Sequence, residues 1–366
     1  MTSHPEFNTT TTGTEVAAAF SQQIKGKTDE VVITGVSPDG IGAATAAAIA
    51  SQGPEKLVLA SRTRKNLETV RSGIREAYGN VPVEVVTLDL STIKSITDAA
   101  AEISSMVDRL DVLINNAGLT LQTRTLVTTP GETTVDLQLF TNHIGPFLFT
   151  ELLLLKLLAS ESRSGTGGPR IVNLSSHGHR LSPIRFSDYA FQLDLYQGVP
   201  EDERPPSAIA PGFIQMTDGY PGFIAYGQSK TANILHAVEL NTRLKRAGKS
   251  VLALSVHPGG VWKSTDQGAA TTIVAAFDPM LSQTNEKTCL YLADCQLADD
   301  KLALHAKDSR SAARLWNETE RMLGIESMLM KEEVRRGKVK LLATLQVVST
   351  SPKQPPSLLT RVLQQL

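Results

Sequence analysis

The chain has 366 residues, a formal charge of −1 and 41% hydrophobic residues. This is a soluble composition, long enough for one large α/β domain with extensions or for two domains, and its near-zero charge excludes a general nucleic-acid binder. Its two cysteines, Cys289 and Cys295, make neither a disulfide framework nor a metal-ligand cluster, which points to a reducing compartment with the cytoplasm as default.

The polar, threonine-rich start lacks the basic and apolar regions of a signal peptide. Residues 1–29 read as an N-terminal extension: a disordered stretch, then a short helix over 14–25. Val31, Val32 and Ile33 form a β-rich apolar run, as expected of an inner strand of a parallel sheet. It ends at Thr34-Gly35. Val36-Ser37-Pro38-Asp39-Gly40-Ile41-Gly42 and an alanine-rich helix over 43–51 follow. Strand, glycine loop and helix in this order make a phosphate-binding turn. Small residues let the backbone approach a pyrophosphate, and the helix N-terminus offers free N–H groups and positive dipole. Alone, such a loop is equally a tight strand-to-helix turn; its context favours a dinucleotide.

A second strand over 56–60 leads to Ser61-Arg62, where an NAD site would place an acid for the ribose hydroxyls. A small residue and a cation suit a 2′-phosphate instead, so NADP(H) is the expected cofactor. Arg64 and Lys65 read as solvated. After a helix over 66–77, a third strand over 83–88 ends at Asp89, either an acceptor for the adenine amino group or a cap of the next helix, 92–107. A fourth strand over 110–114 delivers Asn115-Asn116-Ala117-Gly118. This alternation marks an α/β doubly wound parallel sheet, a Rossmann fold.

A helix over 132–158 contains Asn142, an amide that needs a partner in an apolar element, and Pro146, which should kink it. Its apolar run 147–158 is too short to span a bilayer and reads as a core or interface helix. A fifth strand over 170–174 places Ser175-Ser176 at its carboxyl end, where ligands bind in such folds. Tyr226 and Lys230, four apart, share one face of a helix. A nearby ammonium favours the phenolate, which fits a tyrosine that exchanges a proton. By spacing alone a solvated Tyr/Lys pair is the commoner reading.

The glycine loop, Asn115-Asn116-Ala117-Gly118, Asn142, Ser176, Tyr226-x-x-x-Lys230 and His257-Pro258-Gly259-Gly260-Val261 after a sixth strand over 251–256 occur jointly and in order. Together they resemble the short-chain dehydrogenase/reductases over residues 30–325. Residues 141–147 and 226–235 are similar to the branch that holds retinol dehydrogenases and WW-domain oxidoreductases, and 267–273 to its fungal members. The resemblance implies a single catalytic domain that interconverts a ketone or aldehyde with an alcohol. It implies Tyr226 as general acid or base and Ser176 as hydrogen-bond partner of the substrate oxygen. Lys230 would assist the tyrosine and bind the nicotinamide ribose, and Asn142 would hold a water in the proton relay. Gly35, Gly40, Ile41 and Gly42 would shape the pyrophosphate loop. Arg62, Asp89, Asn116 and Val261 would also contact or support the cofactor.

Three departures from the family pattern stand out. The glycine loop is one residue longer than TGxxxGIG, with Pro38 and Asp39 in it; a wider loop with Asp39 turned outward accommodates this. Lys263 stands where a threonine usually follows the proline-glycine turn, with Ser264 or Thr265 as substitutes. The long insert 177–225, rich in proline and aromatic residues, reads as a substrate lid rather than a disordered segment, and His177 and His179 as surface-loop histidines. Trp262, Phe277 and the insert suggest an apolar wall, hence a hydrophobic small-molecule substrate, in a setting such as secondary metabolism. Helices over 285–298 and 309–323 should complete the domain, and 326–366 reads as a C-terminal extension without chemistry. No metal, nucleic acid or membrane span is expected, and a homodimer is left open. The rivals are a catalytically silent dinucleotide-binding regulator or scaffold, against which Tyr226 and Lys230 speak, and a nucleotide-sugar epimerase or dehydratase, against which 115–118 and the Gly-Ile-Gly ending speak.

Overall fold

The computed structural model describes residues 1–25, 30–79, 81–161, 167–260, 262–283 and 289–327. Seven parallel strands form its central sheet: β1 (Glu30–Thr34), β2 (Lys56–Ser61), β3 (Val83–Thr87), β4 (Val112–Asn115), and, beyond a small hairpin of β5 (Leu126–Thr128) and β6 (Thr134–Asp136), β7 (Arg170–Leu174), β8 (Leu252–His257) and β9 (Tyr291–Ala293). A two-residue antiparallel strand, β10 (Gln296–Leu297), closes one edge, and the order is β10-β9-β8-β7-β4-β1-β2-β3. Helices cover both faces, so every residue of β1, β4 and β7 is buried, which is why these strands read as continuous apolar runs. The chain reverses direction across the sheet between β1 and β4. That switch point opens a crevice at the carboxyl ends of the strands.

The helices are α1 (Gly13–Ala19), α2 (Ser21–Ile24), α3 (Ile41–Ala50), α4 (Arg64–Tyr78), α5 (Ile93–Met106), α6 (Leu137–Leu139), α7 (Gly145–Ser160), α8 (Gly222–Arg246), α9 (Thr265–Phe277) and α10 (Ser309–Leu323). One core layer packs α3, α4 and α9 on the sheet. The N-terminal residues belong to it, contrary to the expectation of a disordered start. A capping box between Thr12 and Glu15 begins α1, which lies against α9, and Val16, Phe20 and Ile24 are buried in this core layer, each stabilising the docking by about 2 kcal/mol. Ahead of α1, the Ser3 N–H donates to Asp278 Oδ2 (2.7 Å), and Gln296 Nε2 donates to the carbonyls of His4 and Phe7. Met1–Ile325 forms one compact unit. Of the expected C-terminal extension only Glu326 and Ser327 lie among the described residues.

Two expected helices are different. The segment 132–158 begins instead as the β5–β6 hairpin, with Glu132 in the left-handed region (φ +59°) of a turn that Pro130 and Gly131 start. Helix begins only at Leu137, where Asp136 accepts from the N–H groups of Gln138 and Leu139. A π-turn, Phe140–Ile144, then widens the ladder through a bond from Gly145 N–H to Phe140 O. Pro146, just beyond, has no N–H to close an α-helical bond on the Asn142 carbonyl. Leu137–Ser160 is long and apolar enough to cross a membrane but is mostly buried in the fold, where α7 packs on α5. The second helix, over 285–298, is replaced where it is described by β9 and β10. Their turn residues Asp294 and Cys295 both have positive φ (+52° and +65°), as a two-residue hairpin requires; 284–288 lie outside the described residues.

The insert 177–225 is an ordered loop. Arg185, fully buried, pairs with Asp188 (2.7 Å), donates to the carbonyls of Asp194 and Leu195, and stacks on Phe191. Phe191, Leu195 and Tyr220 pack with Ile224 and Ala225, the residues that precede Tyr226 on α8.

Candidate active site

The glycine loop is built against the end of β4. Gly35 has φ +71°, and a Cβ there would lie 2.5 Å from Ala117 Cα, so the position admits only glycine. Asn116 Nδ2 donates to the carbonyls of Thr34 (2.8 Å) and Gly35 (3.1 Å), and Ala117 N–H donates to Thr34 Oγ1. A Cβ on Gly42 would meet Asn116 Nδ2 at 2.7 Å. The extra residue is absorbed by Val36 turning fully into the core while Pro38 and Asp39 stand exposed at the apex, Asp39 at φ +58°. The aspartate therefore faces outward, as the longer loop demanded. Gly40, the N-cap of α3, has no side chain to cap it, so among the described residues Ile41 and Gly42 begin the helix at the loop with N-terminal donors open to an anion.

A cleft of about 380 Å³ runs from Arg62 and Asn66 along this loop to Gly118. Arg62 is exposed and, among the described residues, has no ion pair, whereas Arg64 pairs with Glu68. Asp89 sits between Leu88 and Leu90, which line the cleft, but its Oδ1 accepts from Ser91 N–H (2.9 Å) and Ser91 Oγ (2.6 Å). It braces the turn before α5, whose N-cap is Thr92. Backbone close enough to exclude a Cβ, an open helix N-terminus and a free guanidinium fit a phosphorylated dinucleotide. Val261 lies outside the described residues.

Asn142 and Lys230 stand against Leu119 and Gly118, which line the cleft, and Tyr226 and Ser176 follow beside Lys230. Asn142, in the π-turn, clamps the residue after Gly118: its Oδ1 accepts from Leu119 N–H (2.8 Å), and its Nδ2 donates to Leu119 O and Ser229 Oγ (both 2.9 Å). Both amide hydrogens are thus engaged by protein. Lys230, nearly buried, donates to Leu174 O (3.0 Å), and its ammonium lies 5.4 Å from the Tyr226 ring centroid. A Cβ on Gly118 would reach Lys230 Nζ at 3.1 Å, which places the ammonium against the cleft. Ser175 is committed to structure, donating to Lys230 O (2.8 Å). Ser176 Oγ accepts from Gly178 N–H (3.0 Å). A Cβ on Gly178 would lie 3.0 Å from Tyr226 Cε1 and 3.4 Å from Ser176 Oγ. The serine hydroxyl and the tyrosine ring therefore flank one backbone atom with no side chain between them. Gly178 and Ser229 were not singled out from the sequence; the glycine two residues after a strand-end serine was the available signal.

Other expectations shift. Phe277 is part of the core beneath α9 and forms no wall of the site. Trp262 is 78% exposed, its ring lying on Gly260. Lys263 pairs with Asp294 (3.0 Å), while Ser264 caps α9 by accepting from Gln267 N–H. His177 is exposed and stacks on His257 (3.8 Å between centroids). His179, expected on the surface, is fully buried.

A doubly wound sheet with a glycine-loop cleft at its switch point, and beside that cleft a lysine followed by a tyrosine and a serine, is the framework of an oxidoreductase. The chain belongs to the short-chain dehydrogenase/reductase family. The family model for short chain dehydrogenases matches residues 29–190. Oxidoreductase fscI of Fusarium equiseti is 38% identical over 262 residues, covering 71% of this chain and 96% of that protein. Retinol dehydrogenase 12 of Mus musculus is 34% identical over 325 residues, covering 83% and 88%. Among solved structures, an uncharacterized protein from Mycobacterium Paratuberculosis superposes with a TM-score of 0.59 at 30% identity, covering 81% of this chain and 94% of that one.

Proposed function

We propose that this oxidoreductase uses NADP(H) and interconverts a ketone or aldehyde with the corresponding alcohol on a hydrophobic small molecule. The observation that carries the reading is the meeting of Ser176 and Tyr226 across Gly178, beside a Lys230 that stands against Gly118 of the cleft. Because Gly178 N–H donates to Ser176 Oγ, the serine's own hydrogen is left to donate outward, to a substrate oxygen on which charge develops. Tyr226 gives its phenolic proton to that oxygen during reduction and takes it back during oxidation. The Lys230 ammonium stabilises negative charge on the tyrosine oxygen, and its bond to Leu174 O fixes where it sits. A bound nicotinamide supplies or receives the hydride. Asn142 fixes Leu119 and Ser229, and through them both walls of the site.

The NADP(H) preference rests on Arg62, a guanidinium at the cleft with no ion pair among the described residues. The apolar substrate rests on the insert, which packs on α8 directly before Tyr226 and exposes Leu193, Tyr196, Phe213 and Met216. The mouse relative's name, a retinol dehydrogenase, fits such a substrate. The test is NADPH consumption across a panel of apolar ketones and aldehydes by the wild type and Tyr226→Phe. Turnover should fall by about 10²–10⁴-fold in the variant; undiminished turnover would show that Tyr226 is not the acid.

A further inference from the structure

His179 lies three residues beyond Ser176, and its ring is fully buried. Nδ1 is 2.6 Å from the Ser176 carbonyl oxygen, which also accepts from His179 N–H (3.1 Å). On the other side of the ring, Nε2 is 3.3 Å from the Ala303 backbone nitrogen. A carbonyl oxygen can only accept and a backbone N–H can only donate. The two contacts therefore fix one form of the ring: neutral, with the proton on Nδ1 and the lone pair on Nε2. The His179 carbonyl is held in turn, accepting from His305 Nε2 (2.7 Å) and from Thr231 Oγ1 (2.9 Å), next to Lys230. Tyr291 of β9 packs edge-on against the ring.

We propose that His179, as the neutral Nδ1–H tautomer, is a positioning residue for Ser176, and that it ties the serine's turn to the segment 303–305. It acts on the reaction only through Ser176. The 3₁₀ turn His177–Leu181 carries the Gly178 N–H that orients the serine hydroxyl. A ring that grips the Ser176 carbonyl from within that turn, and is itself gripped from Ala303, sets the direction of that hydroxyl. Without it the Ser176 carbonyl keeps only the weaker backbone bond from His179 N–H. The proposal rests on the reading above that Ser176 meets the substrate oxygen.

The test is a double-mutant cycle of His179→Phe and Ser176→Ala in the full-length protein, with kcat, KM and NADPH affinity measured for each. His179→Phe keeps an aromatic ring against Tyr291 and removes both hydrogen bonds. It should lower kcat about 10- to 100-fold, the scale of a misplaced catalytic group, with KM and NADPH affinity nearly unchanged. In the Ser176→Ala background the same change should lower kcat no further. His179→Gln, whose amide can both donate and accept, should restore much of the loss. If Ser176→Ala alone leaves kcat intact, the serine's assigned role fails. If Ser176→Ala lowers kcat but His179→Phe leaves it intact, or the two losses multiply, the positioning role fails while the serine's stands. Should the phenylalanine variant not fold, imidazole ¹⁵N shifts of the unmutated protein decide: an Nδ1–H tautomer is expected, and an Nε2–H tautomer overturns the proposal.

Discussion

Replacing His236 by phenylalanine should make the protein less sensitive to acid. His236 lies inside a cluster with His143, Phe147 and Trp316, and Asn173 Nδ2 donates to its Nδ1 (3.2 Å). Its Nε2 is buried with no hydrogen-bond partner among the described residues. Burial pushes its pKa from the ordinary 6.5 down to about 4. Such a group stabilises the fold at pH above 6.5 and loses that contribution as pH falls toward its folded value, because only the unfolded chain takes up the proton. Between pH 7.5 and 5.5 the loss is about 1.3 kcal/mol per histidine. His179 (to about 4) and His257 (to about 3), also lowered chiefly by burial, behave alike, so the three together lose about 4 kcal/mol. Asp136 works the other way. Burial raises its pKa from 3.8 to about 6, so its contribution is full below 3.8 and lost as pH rises through 6; acidification from 7.5 to 5.5 regains roughly 0.8 kcal/mol. For these four groups together the balance is a loss of about 3 kcal/mol, a large share of a typical folding free energy. His236→Phe keeps a ring against Trp316, should cost about 1 kcal/mol at pH 7.5 through the acceptor taken from Asn173, and should shrink the acid loss by about 1.3 kcal/mol. Urea unfolding followed by tryptophan fluorescence at both pH values measures this. Equal acid losses in variant and wild type would refute the reasoning.

Arg62→Ala should weaken NADPH binding by about 10- to 100-fold through loss of a charge-assisted contact and leave NADH binding unchanged; titration of cofactor fluorescence checks it, and an equal effect on both cofactors would remove Arg62 from the 2′-phosphate. Arg185→Ala leaves Asp188 buried without its partner and should destabilise the insert by roughly 3–5 kcal/mol. Limited proteolysis should then cut within 177–225 much faster than in the wild type, and an unchanged cleavage rate would show that this pair does not hold the insert.

The sequence disclosed what local chemistry determines. β1, β2 and β7 are apolar on both faces, and their runs were legible for that reason. Helix α10 was read with its ends in place because its apolar stripe is periodic and begins just after Asp308, which caps it. Where tertiary partners decide, local reading failed. The helix over 14–25 was legible, since Val16, Phe20 and Ile24 recur at helical spacing, but its docking into the core beside α9 was not. Strands of two or three residues, as in β5, β6, β9 and β10, are too short for alternation to register. The β9–β10 turn, Asp294-Cys295, lacks the glycine that marks such hairpins. His179 sits in a polar stretch and looked like surface; what buries it are Tyr291 and Ala303, more than 100 residues downstream.

The same distinction explains how a long insert is compatible with fixed chemistry. Ser176 and Tyr226 are held together by backbone contact: Gly178 lies against the tyrosine ring, and a Cβ on Gly227 would press on Gly178 O at 2.7 Å. Those two glycines give the Tyr-Gly-Gln-Ser-Lys stretch a partner that spacing alone cannot supply. Both ends of the insert are pinned to the framework around them. Ser182 O accepts from Thr231 Oγ1 (2.7 Å), one residue past Lys230, and Gln228 Oε1 accepts from Arg185 N–H (2.8 Å). At the other end Gln138 Nε2 donates to Gly222 O (3.0 Å) and to the Tyr220 hydroxyl, which itself donates to Asp136 (2.7 Å). Between these anchors Phe191 and Leu195 pack on Ile224 and Ala225, just before Tyr226.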